Sequence, residues 1–142
     1  MIISHEHKCI FVKTSKTAGS STEIFFEEIL FSKKGQAEEV QSEIINEEGI
    51  VGFRGGPRPP KNTTWYHHMR LNEIKKLLNN DELFNEYFKF SITRNPWDRV
   101  VSAYHHFASE ISFREYVYDG FRNLAPICRF FNRYIHDVYF IR

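Results

Sequence analysis

Two stretches of this chain carry residue types that bind and activate anions. The first, KTSKTAGSSTE, begins at Lys13 and holds two lysines, a glycine and a run of hydroxyl side chains. The second, RNPWDRVVSAY, begins at Arg94. Each follows an apolar, β-rich run and leads into a helical pattern. A helix start leaves unpaired N–H groups and a partial positive charge, which together suit a phosphate or a sulfate group. In the first stretch Lys16 supplies a full charge, Gly19 permits close backbone approach, and Ser20, Ser21 and Thr22 add hydroxyl donors. In the second, Arg94 can grip an anion through two parallel hydrogen bonds. Ser102 follows eight residues later, about two helical turns on, and can add one more.

The order of residues separates this loop from the common nucleotide loop. A Walker-type loop, G-x-x-x-x-G-K-[ST], needs lysine directly after its last glycine. Here the order is K-T-A-G-S-S, with lysine ahead of the glycine, so a standard ATP or GTP site is not expected. Nor is there a compact set of Asp and Glu that would gather magnesium, so no metal is expected.

The elements that must position these residues can be read from hydrophobic period and turn chemistry. Residues 9–12 (CIFV) read as a short buried strand, 13–19 as a loop and 20–31 as a helix with good N-cap types at its start. On that helix Ile24, Phe25, Ile29 and Leu30 form the expected buried face, with Glu27 and Glu28 pointing outward. Residues 40–45 are expected to hold a weak helix, and the acidic stretch around them a solvated face. Residues 52–64 (GFRGGPRPPKNTT) are a breaker-rich loop in which Arg54, Arg58 and Lys61, with Arg70 beyond, read equally as solvated charge or as an anion-attracting group. Leu71, Ile74, Leu77 and Leu78 have helical spacing, ended at Asn79-Asn80-Asp81. Residues 87–93 (YFKFSIT) read as a second core strand. Asn95 as N-cap, Pro96 in the first turn and Asp98 after it mark another helix start, with Val100, Val101, Tyr104 and Phe107 on its buried face. Residues 112–133 read as two helical pieces broken near Pro126, and the final VYFIR as one more strand. This alternation predicts an α/β fold in which a central parallel sheet is flanked by helices, in a single domain over residues 1–142.

Composition bounds the partners. Hydrophobic residues make up 42% and aromatics 16%, enough for one real core and contrary to disorder. A net charge of +1 gives no case for bulk nucleic-acid binding, so any anion site must be a local arrangement of charge. No apolar run approaches the roughly 20 residues that span a bilayer. The opening MIISHEHK is too polar for a signal peptide. Cys9 and Cys128 are far apart and read as reduced thiols, so a cytoplasmic location is expected. The aromatic C-terminal third could supply an interface between subunits.

Taken together, KTSKTAGSSTE resembles the phosphosulfate-binding loop of the sulfotransferases that use PAPS (3′-phosphoadenosine 5′-phosphosulfate), and SITRNPWDRVVSAY resembles that family's motif for the 3′ phosphate. TWYHHMRLNEIKK followed by YFKF is similar to bacterial and carbohydrate-type members. The resemblance runs from about residue 8 to residue 107, with weaker similarity in SFREYV and VYFIR. It implies a P-loop NTPase-like sulfotransferase fold and metal-independent in-line transfer of a sulfonate from PAPS to a hydroxyl of a carbohydrate or another polar small molecule. It assigns Lys16 to the bridging oxygen between phosphate and sulfonate. Thr17, Ala18, Gly19, Ser20 and Ser21 would wrap the 5′ phosphosulfate, and Arg94 and Ser102 would hold the 3′ phosphate. The base is assigned first to His68, at the family's histidine position, with His67 as the alternative and Glu23, on the helix after the loop, as a third candidate. The proline that many members carry before the loop lysine is Ser15 here.

Neighbouring residues have plainer readings. Trp65 is expected in the core before an adenine platform, His105 and His106 as exposed or structural, and Arg99 equally as phosphate contact or surface ion pair. Related enzymes usually continue past the segment resembling VYFIR, so the expected fold is one shortened at the C-terminus. Two rival functions make different predictions. A kinase-like enzyme would need ATP and magnesium, whereas a catalytically silent module would bind the nucleotide PAP (the desulfonated product) without turnover.

Overall fold

Four residues, His5 to Lys8, separate two short apolar runs, too few to cross over a sheet, so the chain doubles back on itself as a hairpin. Strand β1 (Ile2–Ser4) therefore pairs antiparallel with β2 (Cys9–Phe11), Ile3 facing Ile10, and Lys8 in the turn adopts a left-handed φ of 48°. A second tight hairpin joins β3 (Ile44–Asn46) to β4 (Gly49–Val51), its turn held by Asn46 Oδ1, which accepts from the amides of Glu48 and Gly49 at 3.0 and 3.1 Å. Strand β4 lies against the far side of β1, where a Cβ on Gly49 would come within 1.9 Å of the Ile3 carbonyl oxygen, so this contact requires glycine. The computed structural model describes residues 1–31, 37–56 and 58–122, and these form two compact units, Met1–Ile92 and a second beginning at Thr93.

The sheet of the first unit runs β3-β4-β1-β2-β5, with β5 (Phe88–Phe90) parallel to β2 and every other pair antiparallel. The expected parallel sheet is thus corrected to a mixed one. Short connections produce the antiparallel pairs, and only the long segment between β2 and β5, which holds three helices, allows a parallel return. That one parallel pair is the pair of strands that precede the two anion motifs.

Alternation along the strands divides the core between the two faces of the sheet. Ile3, Ile10 and Ile50 pack with Trp65, Met69, Ile74, Phe84 and Tyr87 from the segment leading into α2 (Leu71–Leu78) and from α3 (Asp81–Glu86). Ile2, Phe11 and Val51 pack on the other face with Phe26, Leu30 and Phe31 of α1 (Gly19–Leu30) and its end. The inner strands are buried on both sides, which is why they read as continuous apolar runs.

Helix α1 departs from its expected face. Its buried positions are Gly19, Glu23 and Glu27, while Phe25 and Ile29 are 57% and 52% exposed. The stripe that faces the sheet is rotated because buried cations, described below, draw the two glutamates inward. The weak helix expected at 40–45 is instead the approach to β3, in which Gln41 bridges Arg54 by two backbone hydrogen bonds of 2.8 and 3.0 Å. Helix α3 was not expected at all. Asn80, read as a helix stop, caps it through Oδ1, which accepts from the Leu83 amide at 3.0 Å.

In the second unit α4 (Pro96–Phe107) starts where its caps predict, Asn95 Oδ1 accepting from the Trp97 amide at 3.0 Å. Its buried residue is Ala103; Val101 and Phe107, expected inside, are 43% and 62% exposed. Ser112 and Glu115 cap α5 (Phe113–Arg122) reciprocally, and Tyr104 packs its ring against Phe113 and Tyr116. The second helical piece expected near Pro126, the VYFIR strand and Cys128 lie outside the described residues.

Candidate active site

The loop that follows β2 is built inward by Lys13 and Thr14. The Val12 amide donates to the Phe90 carbonyl (2.9 Å), extending the parallel pair, and Thr14 Oγ1 donates to the Ile92 carbonyl at 2.8 Å while sitting 2.9 Å from Thr17 Oγ1. The loop is thereby tied to the end of the second core strand. Lys16 and Ala18 both hold φ at 60°, the left-handed region that costs a non-glycine residue about 1–3 kcal/mol. This backbone is held by the surrounding hydrogen bonds, and it brings the chain round into α1. Ala18 is the N-cap and makes no side-chain cap hydrogen bond. Thr22 instead donates its hydroxyl back to the Ala18 carbonyl at 3.0 Å.

Gly19 accommodates a buried side chain. A Cβ there would lie 2.6 Å from Lys13 Cγ, so glycine makes room for the buried lysine stem. Lys13 Nζ then donates to Ser20 Oγ at 3.0 Å and to Glu23 Oε2 at 2.7 Å. Glu23 is fully buried. Its other oxygen accepts from the Met1 ammonium, and Arg54 Nη1 lies 4.0 Å from Oε2. Burial raises the Glu23 pKa, but the Met1 ammonium and Lys13 outweigh it and hold the carboxyl below its usual range. Burial pushes the Met1 ammonium down to about 6 and lowers Lys13 as well, against the pull of Glu23 on both. Arg54, read in the sequence as loop charge, is 1% exposed; it donates to Glu27 Oε2 at 3.0 Å and to the Glu38 carbonyl. Glu27, expected to point outward, also accepts from Gln41 Nε2 at 3.0 Å.

Two histidines reach this region from the segment before α2. His68 Nδ1 donates to the Lys13 carbonyl at 3.3 Å and His67 Nδ1 to the Phe53 carbonyl at 3.0 Å, the rings meeting edge to face at 4.5 Å. A carbonyl only accepts, so both neutral rings carry their proton on Nδ1 and keep the lone pair on Nε2. Burial, reinforced by His67, pushes the His68 pKa down to about 4, and burial also lowers that of His67. His68 is therefore neutral near pH 7, the form a base requires.

That depressed pKa has a consequence for stability. The unfolded chain takes up the His68 proton first, near its ordinary 6.5, so stability present above that pH is lost as pH falls toward about 4. The loss is at most about 3 kcal/mol. His68→Asn should accordingly flatten the acid limb of melting temperature against pH between 6.5 and 4, relative to the unsubstituted protein. Parallel curves over that window would show that His68 is not held neutral by the fold.

The first unit thus brings together Lys13, Thr14, the 16–21 loop, Glu23 and His68. The second carries Arg94, exposed, one residue before the cap of α4, and Ser102, half-buried on that helix. Trp65 is in the core, as expected, and His105 and His106 are exposed in the last turn of α4. Among the described residues no group of three or more His, Cys, Asp or Glu is arranged to hold a metal ion. Sequence reasoning missed Lys13 as a structural cation and Arg54 as its buried companion, because no spacing rule marks a lysine three residues before the loop lysine as the inward one.

The first unit is thus an α/β arrangement that joins a lysine-bearing loop, set between a strand and a helix start, to a neutral histidine hydrogen-bonded to the Lys13 carbonyl. The chain belongs to the sulfotransferase family, whose family model matches residues 1–129, a span that includes both anion motifs and the histidine segment. Compared with curated proteins and with solved structures, the chain gave no match. No described helix is long and apolar enough to cross a membrane.

Proposed function

We propose that this chain transfers a sulfonate from PAPS to a hydroxyl of a carbohydrate or another polar small molecule, without a metal, in a single cytoplasmic domain of the P-loop-like sulfotransferase type. The observation that carries this reading is the loop itself, left-handed at Lys16 and Ala18 and opening on an uncapped helix start. When bound, the donor supplies an activated sulfonate on a phosphate leaving group. Lys16 and the first amides of α1 stabilise the charge that grows on the bridging oxygen, with Thr17 to Ser21 around it. Arg94 and Ser102 bind the 3′ phosphate. His68 takes the acceptor proton on Nε2, oriented by its Nδ1–H bond to the Lys13 carbonyl. This reading sets Glu23 aside as base, since its oxygens already accept from Met1 and Lys13.

Calorimetry of PAP and ATP, each with and without magnesium, tests the donor assignment. PAP is expected to bind tightly and independently of magnesium, with ATP much weaker. Equal affinity for ATP, or no binding of PAP, overturns the reading. Transfer from labelled PAPS into a mixed pool of sugars and small alcohols then separates an enzyme from a module that only binds.

A further inference from the structure

Glu23 is a fully buried carboxylate whose contacts lie on the loop's inner side. It reaches the cradle through one residue, Lys13. The Lys13 ammonium sits between Glu23 Oε2 (2.7 Å) and Ser20 Oγ (3.0 Å), in the first turn of α1, while the Lys13 carbonyl accepts from His68 Nδ1 (3.3 Å). One residue therefore connects a hydroxyl of the anion cradle with the proposed base. The space it occupies is kept open by Gly19, whose missing Cβ would stand 2.6 Å from Lys13 Cγ.

We infer that Glu23 is a positioning residue: by anchoring Lys13 it fixes Ser20 at the helix start and the His68 ring behind the loop. This inference rests on the sulfotransferase reading and deepens it. The geometry gives the pair a reason to be ionic. An ammonium must be held on its inner side to present a fixed hydrogen bond at the other, and a neutral partner in a buried position would leave it uncompensated. A charge-assisted bond also resists rotation better than a bond between two neutral groups. Ser20 Oγ, accepting a hydrogen bond from Lys13, is left with its own O–H to donate toward an anion at the helix start.

A second buried acid on the same helix provides the comparison that a merely structural role would fail. Glu27 is paired with Arg54 and Gln41 and has no bond to Lys13. The test measures PAP affinity by calorimetry on Glu23→Gln, Lys13→Met, the double variant and Glu27→Gln, with thermal melting of each. Glu23→Gln and Lys13→Met are each expected to weaken PAP about tenfold. The double variant should be no weaker than the poorer single one, because both act through one connection. Glu27→Gln should lower the melting temperature while leaving PAP affinity within about twofold. The imidazole nitrogen shifts of His68, read by NMR, should lose their fixed Nδ1–H signature in Lys13→Met. If Glu23→Gln does not fold, Lys13→Met and the NMR signature carry the same test. Absence of PAP binding by the unsubstituted protein would overturn the donor reading and this inference together. Normal binding there, with unchanged affinity in the Glu23 and Lys13 variants or with additive losses in the double one, overturns the positioning role alone.

Discussion

Lys16→Ala is expected to lower the turnover of sulfonate transfer on the order of 100- to 1000-fold, with a much smaller change in the affinity for PAP. Negative charge develops on the bridging oxygen as the bond to sulfur breaks, so a cation aimed there acts mainly in the transition state. Loss of such a contact lowers kcat and kcat/KM together. Lys13 cannot substitute, because its ammonium is committed to Glu23 and Ser20. The fold should tolerate the change. Position 16 holds φ at 60°, and Ala18, two residues on, already holds the same angle with an alanine side chain. Single-turnover transfer from labelled PAPS checks the rate and calorimetry the affinity. Activity that survives in Lys16→Ala removes the residue from the mechanism.

The parts of this arrangement that were legible in the sequence are those dictated by local chemistry. Apolar runs with β-rich residues at 9–12 and near 88 announce strands, and Asn95-Pro96 announces a helix start, because caps and periodicity act over a few residues. The misread parts depend on partners far along the chain. Nothing within α1 indicates that Glu23 and Glu27 turn inward; that depends on Lys13, ten residues before Glu23, and on Arg54, 27 residues after Glu27. Charged residues are normally exposed, so Phe25 and Ile29 looked like better candidates for the buried face. The parallel expectation failed for a related reason. Two of the strands in the hairpins, β3 and β4, are three residues long and lie among acidic residues and glycines that read as solvated loop. Of the described strands, only β2 and β5, which lead into the two motifs, were visible as such.

This division has a physical sense. Beneath the loop that carries Lys16 lies a buried layer of paired charge. It consists of the Met1 amine, Lys13 and Arg54 paired with Glu23 and Glu27. Removing either carboxylate would leave a buried cation without its partner, which is why neither glutamate behaves as a surface residue despite standing on an amphipathic helix.

The second large effect is expected at Arg94, to which the proposed function assigns the 3′ phosphate. Arg94→Ala should weaken PAP on the order of 10- to 140-fold, since hydrogen bonds to a charged group are worth roughly 1.5–3 kcal/mol and each 1.4 kcal/mol is a tenfold change. The loss should be specific to the 3′ phosphate. The unsubstituted protein should prefer PAP to adenosine 5′-phosphate, which lacks that group, whereas Arg94→Ala should bind the two alike. Arg94→Lys keeps the charge without the planar fork and should recover only part of the preference. The helix itself should be undisturbed, because Asn95, which caps α4 through the Trp97 amide, is untouched. Competition calorimetry with the two nucleotides measures the preference directly. If Arg94→Ala discriminates between them as well as the unsubstituted protein does, the 3′ phosphate is held elsewhere and the second motif loses its assigned role.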